Sequence, residues 1–349
     1  MWPLKINYSH MKKRIILTLT TIVTIGSVCT FSQNVDVKKI WDKAPHNAFT
    51  DMIRYKSYFY CTFREGNNHV PRTKSDNGTI RVIRSSNGTD WEPVALLSDE
   101  IYDLRDPKIS VTPDKKLMII MGGSNYSDSK LIDMMPHVSF SGDGLNFSRP
   151  LPVTIEKGVV SSFDWIWRVT WKSNTGYGVV YQSRQPDNRS RIRLLATRDG
   201  KSYSQVSELD VDSLPNESTI RFDKKGNMLI LVRREAKANG LLGISKPPYT
   251  DWKWISPGYR LGGPNFLVYG KNKLIIGTRL YKTSGASTVV NLTDLNGKIE
   301  KKIELPSGGD TSYPGLVIWR NILWVSYYSS HEGKTSIYLA KIKVNDLGN

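Results

Sequence analysis

One short turn occurs three times in this sequence at equal intervals of 56 residues, and this repeat constrains the fold more than any other feature. Each copy has a hydroxyl residue, any residue, Asp or Asn, Gly, two variable residues and an aromatic residue. The copies run from Ser85 to Trp91, from Ser141 to Phe147 and from Thr197 to Tyr203. In a β-hairpin turn the Asp or Asn side chain hydrogen-bonds to nearby backbone, and Gly supplies a positive φ. A repeat of this length indicates blades or solenoid units.

Short β-branched and aromatic runs, such as residues 58–63 and 117–121, lie between the turns, and the sequence lacks long amphipathic helical patterns. This composition predicts an all-β chain. Six units can be counted, and the sixth has only three strands of its own. We expect residues 37–41 to supply its fourth strand, since this closure protects the free edges of the terminal blade. The sequence therefore predicts one six-bladed β-propeller over residues 34–349.

Residues 1–33 have the layout of a secretory signal peptide. A basic start at residues 11–14 is followed by an apolar stretch at residues 15–28 and then by residues 30–33, Thr-Phe-Ser-Gln, with cleavage expected near Ser32. No other segment approaches the roughly 18 apolar residues that span a bilayer. We expect export to the periplasm or beyond the cell, with no stable membrane insertion once the signal is removed.

The formal net charge of +17 gives the chain a surface that attracts anions. The basic residues are scattered and form no known nucleic-acid-binding motif, so we expect no nucleic-acid partner. The five His residues show no metal-ligand spacing. We expect a monomer without metal or cofactor.

In a propeller the innermost strands converge on the axis, and we call the region where they begin the mouth. The unit openings supply Asp51, Arg105, Asp106, Arg168, Glu217, Asn265 and Tyr313. The ends of the second strands supply Arg64, Glu65, Arg233, Arg234, Arg279, Tyr281, Tyr327 and Tyr328. Arginines around carboxylates and a Tyr suit an acidic substrate, because the planar guanidinium binds a carboxylate bidentately.

These features resemble the sialidase superfamily. The repeated turns look like its Asp-boxes, and residues 63–66, Phe-Arg-Glu-Gly, resemble a motif of exported bacterial sialidase-like propellers. The resemblance implies that Glu217 is the catalytic carboxylate and Tyr313 the nucleophile, while Arg234 and Arg279 hold the substrate carboxylate.

The same resemblance implies further substrate contacts. Arg105 and Asp106 match a second-blade motif whose Asp contacts the sugar, and Arg64 matches a frequent first-blade Arg. Sialidases also carry a first-blade Phe-Arg-Ile-Pro motif, but residues 49–52 here are Phe-Thr-Asp-Met. Either Arg64, Arg105 or Arg168 substitutes for the missing Arg, or the substrate is not a standard sialic acid. Asp51 and Asp106 are each expected either to contact substrate or to make structural hydrogen bonds.

Sialosides carry a carboxylate at the anomeric carbon, which would repel a carboxylate nucleophile but not a neutral Tyr phenol. The resemblance thus implies a retaining exo-glycosidase for sialic acid or a related keto-sugar acid. Asp76 is the expected general acid, with His69 and Glu65 as alternatives. Two other hypotheses remain: a hydrolase or lyase for another acidic glycan, and a glycan-binding propeller without catalysis.

Overall fold

A computed structural model describes residues 35–127, 130–183 and 190–347. The predicted signal peptide, residues 1–33, lies outside the described residues. Within the described part of the chain, no helix is long and apolar enough to cross a membrane.

The described chain forms six sheets, antiparallel except for the short strand β10, with strands numbered β1 to β25 along the sequence. The strand that closes the ring is β1 (Asp36–Trp41). Blade 1 contains β2 (His46–Tyr55), β3 (Tyr58–Gly66), β4 (Thr79–Ser85) and β5 (Glu92–Leu97). Blade 2 contains β6 (Asp103–Val111), β7 (Leu117–Ser127), β8 (Lys130–Ser141) and β9 (Leu151–Pro152). Blade 3 contains β10 (Thr154–Ile155), β11 (Asp164–Lys172), β12 (Thr175–Gln182), β13 (Arg191–Thr197) and β14 (Ser202–Leu209), with β10 parallel to β14.

The remaining three blades have the same order. Blade 4 contains β15 (Pro215–Phe222), β16 (Met228–Arg234), β17 (Leu241–Ser245) and β18 (Lys253–Ile255). Blade 5 contains β19 (Asn265–Tyr269), β20 (Lys273–Lys282), β21 (Gly285–Asp294) and β22 (Ile299–Glu304). Blade 6 contains β23 (Thr311–Trp319), β24 (Ile322–Ser329) and β25 (Ser336–Lys343). Two short 3₁₀ helices, Lys74–Asp76 and Val344–Leu347, complete the described structure.

The predicted ring closure is confirmed. Strand β1 pairs antiparallel with β25, with Val37 opposite Ala340, and so becomes the outer strand of blade 6. Apolar clusters fill the space between neighbouring blades. For example, Leu117 of blade 2 packs with Ile80 of blade 1, and Leu316 of blade 6 packs with Ile275 of blade 5. The prediction of a six-bladed all-β propeller is therefore correct.

The three repeated turns join the third strand of a blade to the fourth and share one hydrogen-bond pattern. In blade 2, the Ser141 hydroxyl accepts a hydrogen bond from the Gly144 amide at 2.9 Å, and Asp143 Oδ1 accepts two more from the next two amides. The equivalent amides of Gly88 and Gly200 bond to Ser85 and Thr197. These turns lie at the outer side of the blades, as predicted, and form part of the scaffold.

One prediction concerns this scaffold. Ser141→Ala removes the acceptor of the buried Gly144 amide and should reduce the free energy of unfolding by about 1–3 kcal/mol. The matched control is Gly142→Ala in the same turn, because a Cβ there has no atom within 4 Å. That change should stay within about 0.5 kcal/mol of wild type. Urea unfolding followed by Trp fluorescence measures both, and equal stabilities of the two variants would contradict the assignment.

Candidate active site

The mouth is built by irregular pairing at the start of the innermost strands. Among the described residues, β2, β6, β11, β15 and β23 each shift register against their neighbouring strand in their first half. Such bulges re-aim side chains. Three of the residues at these shifts have a left-handed backbone: Phe49, Asp106 and Tyr313 have φ values of 63°, 47° and 54°. Non-Gly residues rarely adopt this conformation, and such strain often occurs at functional sites.

Tyr313 and Glu217 meet in the mouth although 96 residues separate them in the sequence. The Tyr313 hydroxyl donates to Glu217 Oε1 at 2.5 Å. The Gly263 amide donates to Glu217 Oε2 at 2.8 Å. Gly263 also has a positive φ of 59°, and a Cβ there would lie 2.6 Å from the Tyr313 ring. The close approach of this backbone to both side chains therefore requires Gly.

Arg233 completes this cluster. Its Nη1 lies 2.6 Å from Glu217 Oε1 and 3.4 Å from the Tyr313 hydroxyl, and its Nη2 lies 2.5 Å from Glu235 Oε1. Burial alone would raise the pKa of Glu217, but the charge of Arg233 and the hydrogen bonds outweigh it and hold the pKa below its ordinary value. Burial and the charge of Glu217 raise the pKa of Tyr313 well above its ordinary value. At neutral pH the site thus holds an ionised carboxylate beside a protonated phenol.

Two further arginines line the mouth. Arg279 donates to the Thr311 carbonyl at 2.8 Å, and its guanidinium carbon lies 5.7 Å from the centre of the Tyr313 ring. The Arg105 guanidinium lies 5.2 Å from the centre of the Phe49 ring and donates to the Tyr126 hydroxyl at 3.3 Å. Both side chains are mostly buried but keep a small exposed area. Cations of this kind can bind an anionic substrate group in a poorly solvated site.

Asp106 lies in the same cluster, as the sequence suggested. Its side chain is buried, and its Oδ1 has no hydrogen-bond partner among the described residues. Burial raises the pKa of Asp106, although the charges of Lys108 and Arg105 oppose the shift. An unpartnered carboxylate oxygen in a polar mouth is suited to accept a hydrogen bond from a substrate hydroxyl.

The prediction for Arg234 needs a correction. Successive side chains of a strand point to opposite faces, so Arg233 and Arg234 cannot both face the mouth. Arg234 binds Asp212 at 2.5 Å and the Asn239 carbonyl at 2.7 Å, away from Glu217. Arg233 occupies the place expected for Arg234.

Arg64 does not make the substrate contact that was predicted for it. Its side chain is fully buried, and Nη2 lies 2.6 Å from Asp103 Oδ1 while Nη1 donates to the Asn68 carbonyl at 2.8 Å. A Cβ at Gly66 or Gly78 would clash with this guanidinium. Arg64 therefore supports the loop after β3 and is not available to a substrate.

Asp51 and Arg168 bind each other. Two hydrogen bonds of 2.6 and 3.0 Å join the Arg168 guanidinium to the Asp51 carboxylate, which also accepts the Ile109 amide at 2.9 Å. Asp51 is completely buried. Asp51 therefore makes structural hydrogen bonds, which is one of the two roles expected for it. The substrate contact expected for Arg168 is not supported, because its guanidinium binds Asp51. Arg105 is the remaining candidate for the missing first-blade Arg.

The three candidates for the general acid are placed differently. Asp76 lies in the Lys74–Asp76 3₁₀ helix, where Asn67 donates to it at 2.9 Å, and no contact joins it to Tyr313 or Glu217. The expectation for Asp76 is thus unsupported by its position. Glu65 accepts hydrogen bonds from Trp41 and Arg81.

His69 is the third candidate, and it lies at the mouth with its ring 5.1 Å from that of Phe49. The Phe49 ring lies 5.2 Å from the Tyr313 ring, so one aromatic side chain contacts both. His69 Nδ1 is 2.9 Å from Asp310 Oδ2.

Sequence reasoning missed Lys108. Its ammonium lies 4.3 Å from the centre of the Trp167 ring and 5.5 Å from that of Tyr313. Burial lowers the pKa of Lys108 to about 8, although the nearby carboxylates of Asp106 and Asp51 oppose the shift. A Lys directly after Asp-Pro has no distinctive sequence signature. Only the bulge of β6, which the structure reveals, shows that this side chain reaches the mouth.

No protein-family model matches the chain, and no curated protein matches it in sequence. Solved structures match its fold. A protein of unknown function from Dyadobacter fermentans aligns with a TM-score of 0.75 at 19% identity, covering 87% of this chain and 98% of that one. Trypanosoma rangeli sialidase in complex with sialic acid aligns with a TM-score of 0.65 at 12% identity, covering 90% of this chain and 58% of that one. The phage phi92 endosialidase gives 0.68 at 10% identity, covering 89% and 69%.

These comparisons define the class of fold. The chain is a six-bladed β-propeller of the kind found in sialidases and an endosialidase, and it spans a little over half of the Trypanosoma rangeli chain. At this level of identity the likeness extends to the fold alone. The narrower resemblance to exported bacterial sialidase-like propellers stays a prediction.

The positions of Arg233 and Arg234 lead to a second prediction. Arg233→Ala leaves the buried Glu217 carboxylate without its counter-charge and should lower the free energy of unfolding by about 3–5 kcal/mol. Arg234→Ala is the matched control, since its partner Asp212 is 81% exposed, and should cost about 1 kcal/mol or less. Urea unfolding measures both. A larger loss for Arg234→Ala would show that the two side chains were assigned the wrong way round.

Proposed function

We propose that this protein is a retaining exo-glycosidase that removes a terminal sialic acid or a related keto-sugar acid from glycans. The observation that carries the proposal is the 2.5 Å hydrogen bond between Tyr313 and Glu217, with Arg233 and Arg279 beside it. Sialidases use a Tyr nucleophile and so differ from most glycosidases, which use two carboxylates. Trypanosoma rangeli sialidase, whose fold is similar, has been solved with bound sialic acid.

The electrostatic state of the site supports this chemistry. A keto-sugar acid carries a carboxylate at its anomeric carbon, and an anionic nucleophile would be repelled by it. Tyr313 is neutral until it reacts, and Glu217 is ionised and hydrogen-bonded to it. Glu217 takes the phenolic proton as Tyr313 attacks, which gives a covalent glycosyl-tyrosine intermediate. Water then releases the sugar with retained configuration.

The substrate carboxylate is assigned to the arginines of the mouth. Arg233 lies on β16 of blade 4, Arg279 on β20 of blade 5 and Arg105 on β6 of blade 2. The guanidinium groups of Arg233 and Arg279 are close to Tyr313. Arg105 takes the role of the first-blade Arg, because residue 50 is Thr. The Thr50 hydroxyl instead donates to the Tyr313 carbonyl at 2.7 Å and thereby fixes the backbone of the nucleophile.

The biological setting is also a proposal. The predicted signal peptide directs the protein to the periplasm or outside the cell, where glycans are accessible. The propeller acts there as a monomer on acidic glycans, without a cofactor.

The third prediction tests the nucleophile. Wild type should release a fluorogenic phenol from an aryl α-sialoside, and Tyr313→Phe should lower kcat on the order of 10³-fold or more, because no covalent intermediate can form. Tyr203→Phe is the matched control, since Tyr203 lies in a scaffold turn and bonds to the Gly200 carbonyl. It should keep wild-type kinetics. A 2,3-difluoro sialic acid should label wild type on Tyr313, as peptide mass mapping would show.

Other outcomes separate the alternatives. Inertness toward sialosides, together with Tyr313-dependent turnover of another sugar acid, would retain the mechanism and change the substrate. This second candidate is favoured by the missing first-blade Arg. Binding of acidic glycans without turnover, unaffected by Tyr313→Phe, would refute the enzyme proposal in favour of a binding propeller.

A further inference from the structure

A histidine–carboxylate pair lies at the rim of the mouth, outside the Tyr313 and Glu217 cluster. Asp310 precedes β23, and its Oδ2 lies 2.9 Å from His69 Nδ1 and 3.3 Å from His46 Nε2. Its Oδ1 accepts a hydrogen bond from the Tyr328 hydroxyl at 2.8 Å. The His69 side chain is 49% exposed, whereas that of His46 is only 10% exposed. His69 is therefore the member of this group that a ligand in the mouth can reach.

We propose that His69 is the proton donor to the leaving group and that Asp310 is its positioning residue. The inference rests on the proposed glycosidase function and adds to it the residue that acts on the aglycone. The pair replaces the carboxylic acid that the sequence led us to expect at Asp76.

The hydrogen bonds leave His69 in a suitable state. Nδ1 is taken by Asp310, so Nε2 is the ring nitrogen left for a substrate, and it has no hydrogen bond to the described residues. Burial alone would raise the pKa of Asp310, but hydrogen bonds from His46, His69 and Tyr328 hold it well below its ordinary value. An ionised carboxylate at Nδ1 fixes the ring orientation and stabilises the imidazolium. The imidazole ring can both donate and accept a proton, as a general acid that later acts as a base must do.

The placement also fits the direction of departure. The aglycone of an exo-glycosidase leaves toward solvent. His69 is 49% exposed, whereas Phe49, whose ring contacts both His69 and Tyr313, is buried. Asp106 is a second candidate for the proton donor, but it is only 8% exposed and is close enough to the charges of Lys108 and Arg105 to feel both. It is placed to contact the sugar and not the departing aglycone.

The steps balance. In the first step the Tyr313 oxygen bonds to the anomeric carbon, the bond to the aglycone oxygen breaks, and that oxygen takes the proton from His69 Nε2. Glu217 receives the phenolic proton. In the second step neutral His69 removes a proton from water, the water oxygen bonds to the anomeric carbon, and Tyr313 leaves and regains its proton from Glu217. The sum is hydrolysis of one glycosidic bond.

The fourth prediction compares two leaving groups. His69→Ala should lower kcat/KM on sialyllactose by about 10²–10⁴-fold, because the sugar alkoxide needs a proton to leave. The same variant should lose far less, about 10-fold or less, on an aryl sialoside whose phenolate leaves without protonation. Asp310→Asn should show the same dependence on leaving group, with a smaller loss. The control is His331→Ala, a histidine bonded to Ser329, which should keep wild-type values on both substrates.

Several results would overturn the inference. Equal losses on both substrates would make His69 a structural residue. A leaving-group-dependent loss in Asp106→Asn or Asp76→Asn, with none in His69→Ala, would assign the donor elsewhere. The ligand atoms of His46, His69 and Asp310 lie within 4.8 Å of one another, so inactivation by a chelator and recovery with zinc would make the group a metal site instead. Each of these three results requires that the wild-type protein is active on at least one of the two sialosides. Inertness of wild type on both sialosides would refute the proposed sialidase function itself.

Discussion

The pairing of β1 with β25 is the interaction on which the rest of the structure depends. It joins the two ends of the described chain within one sheet and closes the ring of six blades. Only a closed ring holds the innermost strands of non-neighbouring blades around one axis, where Asp51 of blade 1 also meets Arg168 of blade 3. Glu217 of blade 4 and Tyr313 of blade 6 meet across blade 5 for this reason.

The site also depends on irregular backbone at the start of the innermost strands. A regular strand places alternate side chains on its two faces, so few of them point along the propeller axis. The register shifts of β2, β6, β11, β15 and β23 interrupt this alternation where the strands enter the mouth. The resulting left-handed conformations at Phe49, Asp106 and Tyr313 cost free energy that the surrounding packing must offset. The site is thus assembled from strained positions on a rigid scaffold.

Charge pairing decides which polar residues remain available. Arg64 and Arg168 are neutralised by Asp103 and Asp51, and these pairs are buried. A buried charge needs such a partner, and a guanidinium bound closely by a buried carboxylate has little left to offer an anionic ligand. The closest carboxylate contacts among the described residues are 4.0 Å for Arg279 and 3.7 Å for Arg105, and both side chains keep some exposed area at the mouth. The sequence shows six arginines near the strand ends, and close pairing with a buried aspartate sets Arg64 and Arg168 apart from the others.

The sequence by itself determined the architecture. The 56-residue period, the turn chemistry and the three-stranded last unit predicted six blades and the closing strand, because these features follow from local hydrogen bonding and from the need to cover sheet edges. It also predicted Glu217, Tyr313 and Arg279 as neighbours, since the starts and ends of strands converge in a propeller. Only the tertiary structure decided between Arg233 and Arg234, revealed Lys108, and assigned Asp51 to Arg168 and His69 to Asp310. Those choices depend on side-chain direction, on bulges and on partners from distant blades, and none of these is encoded in the spacing of residues along one strand.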